Sequence, residues 1–509
     1  MIRILKAFAS VLTHRLFLVG TMIALQLAAL LALILFASKI GAYAYPFLTA
    51  VSVVAVFFII SAPENPSYKI TWIVAILLMP VVGGVFYILF GNKRLPAPLE
   101  EFAKSAMRDT KSVMPDNRLS EKLTPHLERL CDYIYNMSGY PSWKDGSSRF
   151  FPLGEEMFNS MLEKIKAAKR YVFLEYFIIR PGYMLEALLA LLEKKAAEGL
   201  EVRLLYDDIG TAGSLPKDWE EKISAAGVRR LVFNPFKPRM SVILNYRDHR
   251  KLCIVDGVYA FCGGINLADE YINRLDRFGH WKDTGVLLEG PAVWGFVHMY
   301  LQLWAFAEGG KPLYSPYLPE LGSPEWDRGL VQVFGDSPLD RVNVTENVYH
   351  GIISRAERYV YITTPYLVID YAMEAALCAA AESGLDVRIM APYRYDKWYV
   401  HILTRSHYPR LIRSGVKIYE YTPGFMHGKT FVSDDQVCMV GTCNIDFRSF
   451  YLHFECSVCF YNSNTVLAVR DDFLSCQTQC HQITLDESLK SGVPLRVLRA
   501  FLKIFAPLF

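Results

Sequence analysis

Twice in these 509 residues a histidine is followed by a lysine two positions on and an aspartate seven positions on: His249, Lys251 and Asp256, then His427, Lys429 and Asp434. Each copy reads H-x-K-x4-D. Ten positions past each aspartate stands an asparagine that closes a run of small residues, Gly263-Gly264-Ile265-Asn266 and Gly441-Thr442-Cys443-Asn444. Every equivalent pair is 178 positions apart. A motif repeated at a constant offset marks two related halves, and a site built from both copies needs both halves.

The residue types point to the chemistry. In an extended strand successive side chains face opposite ways, so a His and a Lys at i and i+2 share a face while Leu252 and Ile254 pack elsewhere. Two such strands brought together present two imidazoles and two ammoniums. That set suits a phosphodiester. One neutral imidazole can attack phosphorus and the other can protonate the departing alkoxide. The lysines, Asn266, Asn444 and the Thr442 hydroxyl are candidates to hold the non-bridging oxygens as charge builds.

Three runs without a charged residue lie between Arg15 and Lys39, Lys39 and Glu64, and Lys69 and Lys93. Each exceeds the ~20 residues that span a bilayer, so residues 1–95 are predicted as a transmembrane segment of about three spans. A cleaved signal peptide fits less well, because the first run is long and further apolar runs follow it. Basic residues flank the segment on both sides, at Arg3, Lys6 and Arg15 and from Lys93 to Lys111, and three spans cannot leave both flanks cytoplasmic. The ten cysteines form no disulfide framework and favour a cytoplasmic catalytic region. A net charge of +3 gives no argument for nucleic acid.

Residues 96–143 read as a linker with short helices. Residues 144–330 and 331–482 then repeat one order of strands and helices: Arg170-Tyr171-Val172-Phe173-Leu174 is answered by Arg358-Tyr359-Val360-Tyr361-Ile362, and Gly199 to Arg203 by Gly384 to Arg388. The fold class is α/β, with mostly parallel strands expected. Asp207 and Asp208 close a predicted strand and are read as loop-holding acids; no metal and no cofactor are expected. Residues 483–509 form an amphipathic carboxyl-terminal tail, with Leu495, Leu498, Leu502 and Phe505 at helical spacing.

The paired motifs resemble those of the phospholipase D superfamily. Trp281-Lys282-Asp283-Thr284, Glu289-Gly290-Pro291-Ala292-Val293, Gly441 through Ser449, and Trp72 through Gly91 are similar to the bacterial cardiolipin synthases within it. The resemblance implies two phospholipase D-like halves around one pseudo-twofold active site, and a membrane phosphatidyltransferase acting on phosphatidylglycerol. A phospholipase D type hydrolase and an inactive membrane scaffold are the alternatives, and the oligomeric state stays open. The resemblance further implies that Asp283 and Glu455 orient the histidines, each from a strand-like run that could return beside the motif preceding it. It favours His249 as nucleophile and His427 as acid. Asp256 and Asp434 belong to the motif but are expected to bond structural groups. One departure stands out: Gly264 replaces the hydroxyl residue that Thr442 supplies in the second copy, which predicts lopsided phosphate coordination.

Overall fold

The computed structural model describes residues 44–79, 97–115, 123–144, 146–235, 245–319, 329–339 and 342–508, with a few positions beside these ranges. Two units result: one from residues 1–96, 235–246 and 500–509, the other from residues 97–234 and 247–499.

In the first unit, helix α1 (Ala44–Ser61) and helix α2 (Pro66–Leu78) are joined by a short turn. The Asn65 side chain accepts from the Ser67 N–H at 2.9 Å, and Pro66 sits in the first turn, where its missing N–H is harmless. Val54, Phe57 and Phe58 of α1 and Leu77 and Leu78 of α2 are exposed. Among the described residues no helix is long and apolar enough to cross a membrane. The run from Arg15 to Lys39, all but a few positions, and Pro80 within the third run lie outside the described residues.

The second unit begins with α3 (Ala97–Val113) and α4 (Pro125–Ser138), followed by strand β1 (Ser142–Lys144). The stretch read as a linker thus adds an edge strand to a sheet. The first half then supplies β2 (Arg149–Phe151), α5 (Gly154–Lys166), β3 (Tyr171–Tyr176), α6 (Tyr183–Ala197), β4 (Glu201–Asp207), β5 (Arg229–Phe233), β6 (Arg247–Asp248), β7 (Leu252–Val255), β8 (Tyr259–Gly263), β9 (His280–Lys282), β10 (Gly285–Glu289) and α7 (Val293–Glu308). The second half supplies β11 (Leu330–Asp336), α8 (Val344–Arg355), β12 (Tyr359–Thr363), β13 (Leu367–Val368), α9 (Tyr371–Glu382), β14 (Asp386–Pro392), α10 (Trp398–Arg413), β15 (Lys417–Tyr421), β16 (Gly424–Met426), β17 (Thr430–Ser433), β18 (Val437–Gly441), β19 (Ile445–Asp446) and β20 (His453–Tyr461). Then come α11 (Asn464–Gln477), β21 (Cys480–Gln482), α12 (Leu485–Leu489) and α13 (Val493–Phe505), of which the residues up to Arg499 belong to this unit.

The two sheets have matching strand orders. One runs β2-β10-β8-β7-β3-β4-β5 and the other β1-β11-β20-β18-β17-β12-β14-β15-β21. Strands β10, β8, β7, β3, β4 and β5 therefore correspond to β20, β18, β17, β12, β14 and β15. The expectation of mostly parallel pairing does not hold. Along these two strand orders only β3-β4-β5 and β12-β14-β15 run parallel, and the remaining neighbours are antiparallel. The reason lies in the motif itself, which feeds a hairpin rather than a crossover helix. Helix α7 packs against β5, β7 and β8 of one sheet and β11 of the other, which is why Val293 through Ala305 are all buried.

The motif aspartates make these hairpins. Asp256 and Gly257 have φ of 56° and 70°, and Asp434 and Asp435 have 57° and 63°. Positive φ at both central residues gives the turn whose twist suits a two-stranded ribbon, closed by Val258 N–H to Val255 O and Gln436 N–H to Ser433 O, each at 3.0 Å. The Asp256 carboxylate accepts from the N–H groups of Lys169, Arg170 and Tyr171 at 2.7–3.0 Å. Asp434 does the same for Glu357, Arg358 and Tyr359 at 2.7–2.9 Å. Both acids are thus spent on the chain entering β3 and β12. Asp434→Ala strands three donors and places an alanine at positive φ, so it should destabilise the protein by about 2–4 kcal/mol, with Asp434→Asn milder because Asn tolerates that conformation. Thermal unfolding in detergent checks the order wild type, Asn, Ala.

Candidate active site

Each motif histidine lies in an extended link between two short strands: His249 between β6 and β7, His427 between β16 and β17. The strand before each histidine pairs in parallel with a strand of the opposite half, β6 with β20 and β16 with β9. The His249 N–H donates to Phe454 O at 3.0 Å and the His427 N–H to Lys282 O at 2.7 Å. Phe454 precedes Glu455, and Lys282 precedes Asp283. The backbone therefore delivers each histidine to the acid of the other half.

The side chains follow. His249 Nδ1 lies 2.9 and 3.0 Å from the two Glu455 oxygens, and His427 Nδ1 lies 2.6 Å from Asp283 Oδ2. Sequence order suggested each acid returning beside its own motif; the pairing is crossed instead. It leaves Nε2 of both rings free of a carboxylate. The lysines curl beneath, each donating to the carbonyl of the histidine two residues before it, with Lys429 Nζ to His427 O at 2.6 Å.

Burial sets the electrostatics. Burial and then Lys251 hold His249 well below its ordinary value, and burial and then Lys429 hold His427 down at about 4, against the pull of Asp283. Burial likewise lowers Lys251 to about 8 and Lys429 to about 7. The lysine of each half depresses the histidine of the other, so the four groups form one electrostatic cluster. The two acids differ. Burial pushes Glu455 well above the carboxylate range, and Lys251 and the Thr442 hydroxyl only partly offset it. Burial also acts upward on Asp283, but His427 and Lys429 outweigh it and the group lies below its ordinary value.

Other sequence-predicted residues have scaffold bonds. Thr442 Oγ1 donates to Glu455 Oε2 at 2.5 Å, so its hydroxyl braces the acid rather than pointing to a phosphate position. Asn266 Oδ1 accepts from the Ile178 N–H at 3.0 Å, and its amide donates to the Tyr271 hydroxyl at 2.7 Å. Asn444 has a buried amide oxygen without a partner. Asp256 and Asp434, carried with the catalytic motif, bind backbone in both halves. Asp207 accepts from the N–H groups of Ile209, Gly210 and Asp248 and lies 3.4 Å from Arg247, so its carboxylate holds the loop after β4 and the link at β6.

Two residues beside the acids, His453 and Trp281, have no site role assigned from sequence. Each stands two positions before an acid: His453 on the same strand as Glu455, where period-two alternation gives them one face, and Trp281 on β9, which ends one residue short of Asp283. The His453 ring lies 5.1 Å from that of His249, with Nδ1 3.6 Å from Glu455 Oε1. The Trp281 ring lies 5.2 Å from that of His427, and its Nε1 donates to Asp283 Oδ2 at 3.3 Å. His249, His453 and Glu455 are the one group among the described residues with metal-ligand spacing.

Comparison with known proteins gives the family. Residues 161–277 and 349–477 match the family described as cardiolipin synthase, PLD-like domain, and residues 50–92 match a phospholipase D-nuclease amino-terminal family. A cardiolipin synthase of Geobacillus sp. is 34% identical over 91% of this chain and 93% of its own length. The chain belongs to the bacterial cardiolipin synthase family of the phospholipase D superfamily. Family membership makes it an enzyme. An uncharacterised protein of Streptococcus mutans is 38% identical over 89% of this chain and 99% of its own. The phosphatidylserine synthase of Haemophilus influenzae shares the fold, with a TM-score of 0.56 at 15% identity over 75% of this chain and 97% of that one.

Two outcomes follow from the site. A Cβ on Gly264 would stand 2.1 Å from Asp283 Oδ1, so Gly264→Ala should push the carboxylate off His427 and lower kcat by about 10²-fold or more while circular dichroism stays unchanged. Because the folded His427 ring resists protonation until about 4 and the unfolded one until about 6.5, the unfolded chain binds more protons between those values. The His427 contribution to stability is therefore complete above the upper limit and falls by up to about 3 kcal/mol as pH drops through the window. Unfolding midpoints recorded from pH 7 to 4 should show this slope, and His427→Asn should flatten it.

Proposed function

We propose that this enzyme joins two phosphatidylglycerol molecules into cardiolipin and glycerol through a phosphatidyl-histidine. The observation that carries the reading is the crossed pair of histidine–carboxylate contacts with two lysines beneath, inside a chain similar over most of its length to cardiolipin synthases.

In the first step His249 Nε2 attacks phosphorus while His427 gives a proton to the departing glycerol oxygen. A P–N bond forms as the P–O bond breaks, and the glycerol leaves neutral. The two acids suit these roles. Asp283, favoured in its charged form, supports an imidazolium at His427. Glu455, bonded to Nδ1 of His249, fixes that ring with Nε2 aimed at phosphorus. Burial and the lysines depress both rings in the resting site, and a phosphodiester anion set between Lys251 and Lys429 offsets those charges and raises His427 toward its acid form. In the second step the headgroup hydroxyl of another phosphatidylglycerol attacks, its proton returns to His427, and His249 is released. Closure against water favours transfer over hydrolysis; His249 and His427 are both buried.

Membrane placement belongs to the same proposal. The exposed apolar side chains of α1 and α2 support a lipid-contacting amino-terminal segment, and the substrate lives in the bilayer. All ten cysteines are free and nine are buried, which fits a cytoplasmic catalytic unit. No metal or cofactor is assigned a part in the reaction, and no nucleic acid is a partner.

The test is incubation of membranes holding the protein with phosphatidylglycerol labelled in both glycerol and lipid. Cardiolipin with free glycerol is the expected product, and phosphatidic acid as the main product would make the enzyme a hydrolase. In rapid quench, His249→Asn should yield no lipid adduct with any donor. His427→Asn should still load a donor with a good leaving group onto His249; an adduct found only on His427 would reverse the roles.

A further inference from the structure

Away from the paired motifs, β15, β21, α10, α12 and α13 enclose a cavity of about 670 Å³ that contains no motif residue. Its charges do not balance. Glu420 is fully buried on the floor and takes both donors of Arg405, Nε at 2.8 Å and a terminal nitrogen at 2.5 Å, with the Tyr408 hydroxyl at 3.2 Å. On the wall, His481 Nε2 lies 3.0 Å from Glu487 Oε1. Both carboxylates are thereby satisfied. Two cations remain, Lys490 at the rim and Arg499 from α13, and neither has a carboxylate partner among the described residues.

Arg499 is the anomaly. Its Nε is sealed from solvent without a hydrogen-bond partner, and burial followed by the nearby Arg405 lowers the affinity of its guanidinium for its proton. An unpaired buried donor is costly, and more so when the group is charged. An anion in the cavity removes that cost. A planar guanidinium and an ammonium lining one cavity are groups that recognise phosphate oxygens.

We propose that this cavity is a second phosphate-binding site, in which Arg499 and Lys490 hold a phosphate-bearing ligand away from the transfer chemistry. Two sources share that chemistry, an acidic phospholipid headgroup and free phosphate. Size favours the lipid, since the volume falls in the range of sites that take organic ligands of about 300–1,000 Å³ and far exceeds a single phosphate ion. The wall favours it too. On α13, Leu495 and Arg499 line the cavity, while Val493 and Val497 on the same helix are 68% and 63% exposed beside Arg496, an apolar and basic surface suited to the lipid interface.

Hydrogen exchange read by mass spectrometry on the full chain in phosphatidylcholine nanodiscs tests the proposal, because it locates binding along the sequence. Dioctanoyl phosphatidic acid should slow exchange across residues 481–499 saturably. Arg499→Gln should raise the midpoint concentration at least tenfold, Lys490→Gln about threefold, and Arg499→Lys should restore most of the loss. Protection by inorganic phosphate at the same concentrations identifies the ligand as free phosphate, and protection by phosphatidic acid alone identifies the lipid. The proposal fails if neither probe protects this segment, if dioctanoyl phosphatidylcholine protects it equally, or if protection is confined to the strands around His249 and His427. Should Arg499→Gln alter exchange before any ligand is added, the Lys490→Gln midpoint decides, and an unchanged value overturns the site.

Discussion

Everything at the candidate active site depends on a backbone exchange between the halves. Because β6 pairs with β20 and β16 with β9, neither histidine has its carboxylate until both halves have folded against each other. A half folded alone would present an imidazole with no acid to fix its tautomer, beside a lysine that only raises the local positive potential. The crossing thus links the integrity of the inter-half contact directly to chemistry, and it explains how two copies of one motif make one site rather than two. It also fixes position: each acid is adjacent in sequence to the residue whose carbonyl holds the histidine N–H, so a shift of one strand moves both members of a pair together.

Four groups that prefer charge in water are buried here together, and that burial shapes the resting state. Lys251 is about 1% exposed and Lys429 about 2%. Two neighbouring carboxyl groups cannot neutralise two lysines and two imidazolium rings, so the rings yield their protons first, being the weaker bases. The site without substrate is consequently short of negative charge, and a phosphodiester supplies it. Affinity for the anion and readiness of His427 as an acid are then one effect, because the charge that binds is the charge that raises the ring toward protonation. A neutral ligand of similar shape gains neither.

Much of this was legible in the chain. The constant offset between His249 and His427 gave the duplication, the two acids were identified as orienting groups, and the matching strand segments gave two related halves. The crossing was not legible, since a carboxylate 34 positions beyond His249 and one 28 beyond His427 are each equally able to return to either motif. The alternation of strands and helices near Tyr171 and Glu201 gives the direction of those strands alone, whereas Asp256-Gly257 is a hairpin signal and predicts an antiparallel pair. His453 was overlooked despite sitting at period two from Glu455. Its two ring nitrogens have no hydrogen-bond partner, and nothing in a strand pattern distinguishes such a histidine from one packed in a core.

The Gly264 and Thr442 difference, which from sequence looked like a lost phosphate contact, belongs to the acids instead. Asp283 is the shorter acid, and its carboxylate occupies the space where a side chain at 264 would begin, so glycine is required. Its second oxygen is held by the Thr284 N–H at 2.9 Å. Glu455 is one methylene longer, reaches farther from its strand, and is steadied by the Thr442 hydroxyl that the added length makes room for. Exchanging the acids without exchanging the residues at 264 and 442 would leave one carboxylate clashing and the other unbraced. The pairs Gly264 with Asp283 and Thr442 with Glu455 are therefore alternative solutions to one packing problem. Their difference also gives the two histidines acids of opposite charge preference, the asymmetry that a nucleophile and an acid drawn from a duplicated motif require.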